Sequence, residues 1–312
     1  TAIKASGSLD YILEPALGSD LVRVYSDSYY PPTGERTSIA QGTYLASTPS
    51  STYRGAIEEG TADLYGVLHV LAEDSFAEPL VVPAGTRAVD KAAEIVREAG
   101  LPVVASESPA TLGSPAVFDD KDTSKLDAVN WLLDFAGFAS AGCDGYGTVL
   151  MQPYQDPSLR LPVLALEDDG ACIFRSGVVR EYDTFDVPNV VVVVCSNAQA
   201  GSMTAKAVND DPQSAFSTVA RGREIVRKET VSDIASQEAL QAKAEALLAA
   251  KTSMVEGFEI THAFVPLEMG DVCSLTYRKA GVHRDDLVAV RQSLKLKPGM
   301  ECTTRFRRFP RS

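Results

Sequence analysis

Between Val187 and Asn197 the chain reads VPNVVVVVCSN, with five consecutive valines and no polar position among them. An unbroken β-branched run of this kind predicts a strand buried on both faces, because a half-solvated strand alternates. Pro188 before it and Ser196–Asn197 after it are turn residues, and five valines fall far short of the roughly 20 residues a membrane helix needs. The run therefore reads as a seam between an upstream and a downstream half. Upstream, extended runs are predicted at Leu9–Leu13, Leu21–Tyr25 (LVRVY, alternating), Ser38–Thr48 (ended by Pro49) and Asp63–Ala72. Pro31–Pro32–Thr33–Gly34 breaks the first pairs into a loop. A meander of this sort is a piece of a barrel or sandwich.

The period then changes. Thr86–Ala99 is rich in helix formers, with Val89, Ala92, Ala93 and Val96 on one face, Thr86 as N-cap and Gly100–Leu101–Pro102 as stop. A second helix is predicted from Ser124, where Asp127 three residues on makes a capping-box pair, through Leu126, Val129, Trp131, Leu132, Leu133 and Phe135 to Gly137. Asp144–Gly145 marks a hairpin whose returning strand is Thr148–Gln152. These elements form a small α/β insert. After it, Arg160–Ala165, Ala171–Phe174 and Ser176–Tyr182 lead to the valine run, and Ser202–Asn209 is its expected hairpin partner. Arg223–Glu229 reads as short and extended. Ser236–Lys251 is a helix with an N-cap serine, Glu238 in its first turn and an apolar line Leu240–Ala244–Leu247–Leu248. Four alternating runs close the chain: Phe258–Phe264, Asp271–Tyr277, Leu287–Leu296 and Glu301–Phe306. Strands with one crossing helix predict a second small barrel.

At 312 residues and 45% apolar, the chain can bury a core in two or three domains. It carries no signal-peptide pattern or membrane-length apolar run, so a soluble protein is expected, and Thr1 in place of an initiator methionine suggests processing. Residues 1–156 hold 9 Lys/Arg and 22 Asp/Glu, a net of −13, whereas residues 157–312 hold 20 of each. This imbalance argues against a protein that wraps a nucleic-acid backbone. It fits either plain solubility or a surface that must not hold a passing polyanion. The five cysteines, Cys143, Cys172, Cys195, Cys273 and Cys302, are scattered without a C-x-x-C and read as free thiols of a reducing compartment.

Candidate chemistry is thin. His69 lies within GVLHVLA, His262 stands at strand spacing without a nearby ligand partner, and His283 precedes Arg284–Asp285–Asp286 in an expected turn. None has zinc-site spacing, and there is no nucleophile elbow and no phosphate loop. Gly142–Cys143–Asp144–Gly145–Tyr146–Gly147 resembles a glycine-rich binding loop, but it precedes a strand, so it offers no helix N-terminus and reads as a turn. Asp119–Asp120–Lys121–Asp122 could attract a hard cation, although acid before a helix N-terminus explains it more simply. The tail RFRRFPRS, with Arg305, Arg307, Arg308 and Arg311, could hold nucleic acid, or could be a strand with Phe inward and Arg outward. No catalytic, cofactor-binding or metal-binding residue is assigned, and no cofactor is expected.

Four stretches, in order, resemble the tail hub proteins of phages and prophages, the trimeric baseplate-hub family also called tail-associated or minor tail proteins. They are QGTYLASTPSSTYRGAIEEGTADLYGVLHVLAED at 41–74, VPAGTRAVDKAAEIVREAGL at 82–101, and KLDAVNWLLDFAGFASAGCDGYGTVLMQPY at 125–154. The fourth is DVPNVVVVVCSN with the downstream SQEALQAKAEALLAAK and LEMGDVCSLTY. The resemblance implies an α+β, mainly β fold of two tail-tube-like β-barrel domains with a small α/β insert domain. The barrels would be residues 1–78, completed by part of 155–187, and 188–312 with a crossing helix at about 236–251; the insert would be 79–154. It further implies a non-enzymatic component of the virion tail tip, assembled in the host bacterial cytoplasm, in which three copies form a ring. Implied partners are distal tail or tube proteins, a tape-measure protein and a tail fibre or spike, with no membrane and no sequence-specific nucleic acid. A peptidase, spike or fibre-binding extension would lie beyond Ser312. The alternatives are a receptor- or carbohydrate-binding module, for which Tyr25, Tyr29, Tyr30, Tyr146 and Tyr154 are candidates, and the scaffold of a tail peptidase.

Overall fold

The computed structural model describes residues 5–12, 21–55, 57–119, 123–169, 173–175, 177–182, 187–197, 201–231, 236–253, 256–297, 299 and 301–309. The fold is α+β and mainly β, and the chain divides into two compact units, residues 1–155 and 156–312.

The first unit opens with β1 (Ser6–Ile12), β2 (Leu21–Tyr30), β3 (Glu35–Arg54) and β4 (Ile57–Gly66). They form an open antiparallel sheet in the order β1-β4-β3-β2. The 20-residue β3 serves two partners, pairing with β2 through Glu35–Leu45 and with β4 through Tyr44–Arg54. It runs on past Pro49, where the sequence predicted its end; the register instead shifts between Ser47 and Ser50, an irregularity that accommodates a proline without a ladder donor. The strand predicted across Asp63–Ala72 is also divided. Extended pairing stops at Gly66, and His69–Glu73 forms a helical turn, α1, with Leu71 buried. A short apolar run carries no period that separates the two states.

The rest of this unit contains β5 (Leu80–Val82), α2 (Ala88–Glu98), β6 (Val103–Ala105), β7 (Ala116–Phe118), α3 (Lys125–Phe135), β8 (Gly142–Cys143) and β9 (Val149–Met151). Its core joins Val89, Ala92, Ala93 and Val96 of α2 to Leu126, Val129, Leu132 and Leu133 of α3, over Val149 and Met151. Thr86 does not cap α2: the N-cap is Arg87, which makes no side-chain cap bond, and the carbonyl of Thr86 accepts from Leu112 N instead. The capping box of α3 forms as the spacing predicts, with Asp127 N donating to Ser124 Oγ and Ser124 N donating to the Asp127 carboxylate. Ser124→Ala should therefore lower the stability of this unit by about 1 kcal/mol, read as a reduced denaturation midpoint with an unchanged slope.

In the second unit, β10 (Leu164–Glu167) and β11 (Val179–Tyr182) precede β12 (Val190–Asn197), β13 (Gly201–Val208), α4 (Thr218–Arg221), β14 (Val226–Val231) and α5 (Gln237–Ser253). The last strands are β15 (Glu256–Ala263), β16 (Val272–Tyr277), β17 (Val282–Leu294) and β18 (Glu301–Arg308). Two sheets result. An open six-stranded sheet runs β10-β16-β17-β18-β15-β11, and a three-stranded sheet runs β13-β12-β14.

This arrangement corrects three expectations. Leu164–Glu167 and Val179–Tyr182, which lie in the 155–187 stretch expected in part to complete the first barrel, are the two edges of the six-stranded sheet. The valine run does not open that sheet: β12 is the centre of the smaller one, antiparallel to β13 and parallel to β14. Helix α5 does not cross a barrel, but packs Leu240, Ala244 and Leu248 onto Val191, Val193, Cys195, Ala205 and Ala207. Ser236 Oγ accepts from Ala239 N at its start, as a serine N-cap should. Val190 at its start is fully buried; beyond it, with only one face covered by the helix, β12 alternates: Val191 and Val193 are fully buried, Val192 and Val194 half-buried.

Candidate functional site

The described residues of the four-stranded sheet bury few apolar side chains. The six-stranded sheet buries Leu166, Phe258, Ile260, Leu275, Leu287 and Phe306 in one cluster. Among the described residues of β1–β4, Ala62 and Leu64 are the buried apolar side chains, and the other two buried side chains are Ser26 and Thr43. From Asp27 to Ser38 every residue of the β2–β3 hairpin is exposed, so the hairpin projects as a bare two-stranded ribbon. Tyr29 and Tyr30 near its tip are 58% and 59% exposed, with the Arg36 guanidinium 5.5 Å from the centre of the Tyr29 ring. A two-stranded ribbon is marginal in water, and strands with an unpaired outer edge invite another chain. β1 and β2 are such edges.

The base of this ribbon is anchored within its own unit. Arg23 Nε donates to Thr43 Oγ1 (3.0 Å), Thr43 Oγ1 donates to the Gly145 carbonyl (3.0 Å), and Arg23 Nη2 donates to the Tyr146 carbonyl (3.0 Å). The turn of the β8–β9 hairpin is thereby held against β2 and β3. Asp144 shapes that turn, its carboxylate accepting from Tyr146 N (2.9 Å) and Thr148 N (2.8 Å). The glycine-rich stretch is thus a hairpin turn, and the residues it meets, Arg23, Ala40 and Thr43, carry no sequence signal that links them to it.

The other candidates disperse. His69 opens α1, stacked on Tyr65 with centroids 4.4 Å apart and 2.7 Å from Glu73. His283 is exposed and lies in β17, not in a turn; the positive φ of 56° at Arg284 takes up the local distortion. Asp119 is exposed, while Asp120, Lys121 and Asp122 lie outside the described residues, as do Cys172 and Arg311. Among the described residues no three His, Cys, Asp or Glu side chains gather as a metal site requires. Cys195, Cys273 and Cys302 are buried, and burial followed by Asp271 pushes Cys273 up to about 12.

Arg305 and Arg308 of the tail serve the sheet. Phe306 and Phe309 are buried. Arg305 Nη2 bonds Glu181 (2.5 Å), and Arg308 reaches both Glu256 (2.9 Å) and Asp285 (3.1 Å). Arg180 also grips Glu256, so one carboxylate links edge strand β11, β15 and β18, and Arg308 extends the link to β17. Burial alone would raise the Glu256 pKa; hydrogen bonds and charge from Arg308 and Arg180 outweigh it and hold the carboxyl below its usual range.

His262 is the one buried histidine. Its Nδ1 lies 2.6 Å from the Ala263 carbonyl, which can only accept, so Nδ1 carries the proton and Nε2 accepts from Thr304 Oγ1 at 2.8 Å. Gln292 Nε2 donates to the same hydroxyl oxygen at 3.3 Å. Burial lowers the His262 pKa, partly offset by the bond to Ala263. The unfolded chain therefore takes up this proton first. The contribution of His262 to stability should be constant above about pH 6.5 and fall as pH drops toward the lower folded value, because the unfolded state then binds more protons. Denaturant melts at stepped pH should show this decline in wild type and a flatter profile in His262→Gln.

No protein-family model matches the sequence, and no curated protein matches it. The fold does have solved counterparts. It is similar to a tail protein from Neisseria meningitidis MC58, at 15% identity and a TM-score of 0.67, over 97% of this chain and 90% of that one. It is also similar to the 43 kDa tail protein of prophage MuSo2 from Shewanella oneidensis, at 8% identity and a TM-score of 0.63, over 97% and 89%. A third counterpart is the E. coli c3393 protein, a type VI secretion system component described as structurally similar to T4 bacteriophage tail proteins gp27 and gp5. There the identity is 10% and the TM-score 0.53, over 99% and 71%. The chain therefore has the fold of phage and prophage tail proteins.

Proposed function

We propose that this protein is a structural, non-enzymatic component of a phage or prophage tail tip. In this reading it is a baseplate hub, three copies of which form a ring that joins the tail tube to tip or fibre proteins. The observation that carries the proposal is the four-stranded sheet with a projecting ribbon and few buried apolar side chains among its described residues, a surface that neighbouring chains would cover. The tail-protein fold over 97% of the chain supports it.

In the assembled ring, the four-stranded and six-stranded sheets act as the two tail-tube-like barrels, each closed by neighbouring strands. Residues 79–154 are an insert after the first sheet, and the three-stranded sheet with α5 is a second insert within the strand order of the other. The partners are tube or distal tail proteins, a tape-measure protein and a fibre or spike, and the place of action is the virion tail tip after assembly in the host cytoplasm.

The exposed Tyr25, Tyr29 and Tyr30 favour a second reading, a carbohydrate- or receptor-binding module. Glycan-array binding together with native mass measurement separates the two. The hub reading expects a trimer and no glycan signal. Specific glycan binding by a monomer would replace it.

A further inference from the structure

The side of the three-stranded sheet turned away from α5 holds a surface that the hub reading leaves unused. The strand register sets it out as three rows: Val208–Val190–Val226, Lys206–Val192–Lys228 and Thr204–Val194–Thr230. A sheet face left to water carries mostly polar residues. Here Val190 is already fully buried, but Val192 and Val194 of the central strand are only half-buried, and Val208 and Val226 at the sides are 41% and 47% exposed. The five-valine run is explained if this second face is also covered, but by something other than α5.

Charge indicates by what. The nine positions include two lysines and no acid, Lys206 being paired with Glu224 at 3.1 Å, whereas residues 1–156 of the same chain carry a net of −13. The first unit also bears a matching apolar spot: Val81 and Val117 are cross-strand partners on β5 and β7, 56% and 53% exposed, next to the exposed Asp119. Two unlike surfaces on one chain make a heterologous contact, which closes into a ring when its rotation allows. Complementary charge sets partner and register in such contacts.

We propose that the open valine–lysine face of β13-β12-β14 docks the acidic first unit of a second copy, with the Val81–Val117 spot against the valine rows and Asp119 toward Lys228. This inference rests on the hub reading and names a contact between copies additional to the strand edges of the two larger sheets.

The test is sedimentation equilibrium of the full chain over a range of protein and salt concentrations, comparing wild type with the Lys206→Glu/Lys228→Glu double variant. The proposal expects wild-type association that weakens with salt, and a dissociation constant at least about tenfold larger in the double variant. Adding Asp119→Lys to the double variant should recover association. Val208→Ser removes only exposed apolar area and should weaken association even if the charge variant folds poorly. Rings that form with an unchanged constant in the double variant and in Val208→Ser would overturn the inference and leave the hub reading intact. Failure of Asp119→Lys to recover association would overturn the stated pairing. A wild type that stays monomeric throughout would overturn both.

Discussion

Phe306→Ala will destabilise the second unit by about 3–5 kcal/mol, the range for truncating a fully buried aromatic ring. Phe306 has no exposed surface, and its strand lies between β15 and β17, so that it faces Phe258 on one side and Ala289 on the other. Neither neighbour can refill the space. Ala289 is too small, and Phe258 is held under the Arg180 guanidinium, 5.8 Å from the ring centre. The cavity would open beneath the Arg180–Glu256–Arg308 link, so the edge strand β11 should loosen with it. Urea denaturation measures the loss, and Arg307→Ala supplies the contrast, because that exposed neighbour points to the other face and should change stability by no more than about 0.5 kcal/mol. Equal losses for the two variants would mean that the strand's inward and outward faces are misassigned.

Gly145→Ala should cost about 2–3 kcal/mol in the first unit, through overpacking and not through backbone strain. A Cβ at this position would lie 2.1 Å from the carbonyl oxygen of Ala40 and 2.8 Å from its carbonyl carbon. Both are backbone atoms in mid-strand and cannot turn aside. The hairpin must lift, and the Thr43–Gly145 and Arg23–Tyr146 bonds lengthen with it. Hydrogen exchange should then quicken at Tyr146 and Thr148 and along β3. Gly142→Ala, in the same hairpin but with nothing within 4 Å of its Cβ, is the control and should be close to neutral.

These two residues mark what the sequence could and could not reveal. The inward face of β18 is legible in ECTTRF because alternation is a local signal. The same holds for α5, with its apolar line and Ser236, and for α3, with its Ser124–Asp127 box. The contact of Gly145 with Ala40 joins residues 105 positions apart, and an Asp-Gly turn looks the same whether it ends in water or against a strand. The valine run misled for a related reason. Periodicity shows that a strand has two apolar faces; it does not show whether its own chain covers both, nor that β14 will return parallel to it. The core-poor sheet hides in the same way. LVRVY predicts a strand at β2 correctly, yet whether the following Asp27–Ser38 ribbon is covered or bare depends on elements far along the chain. No local signal distinguishes His69 in a helical turn from His69 in a strand.

The account depends on the ribbon and the core-poor sheet finding their cover in copies of the same chain. Electron microscopy of the purified protein, alone and mixed with the proposed tube partner, tests this most directly. The account predicts three-fold ring particles in which the four-stranded sheets line up around a channel. Particles that remain single chains in both samples, with the Asp27–Ser38 ribbon still bare, would contradict it.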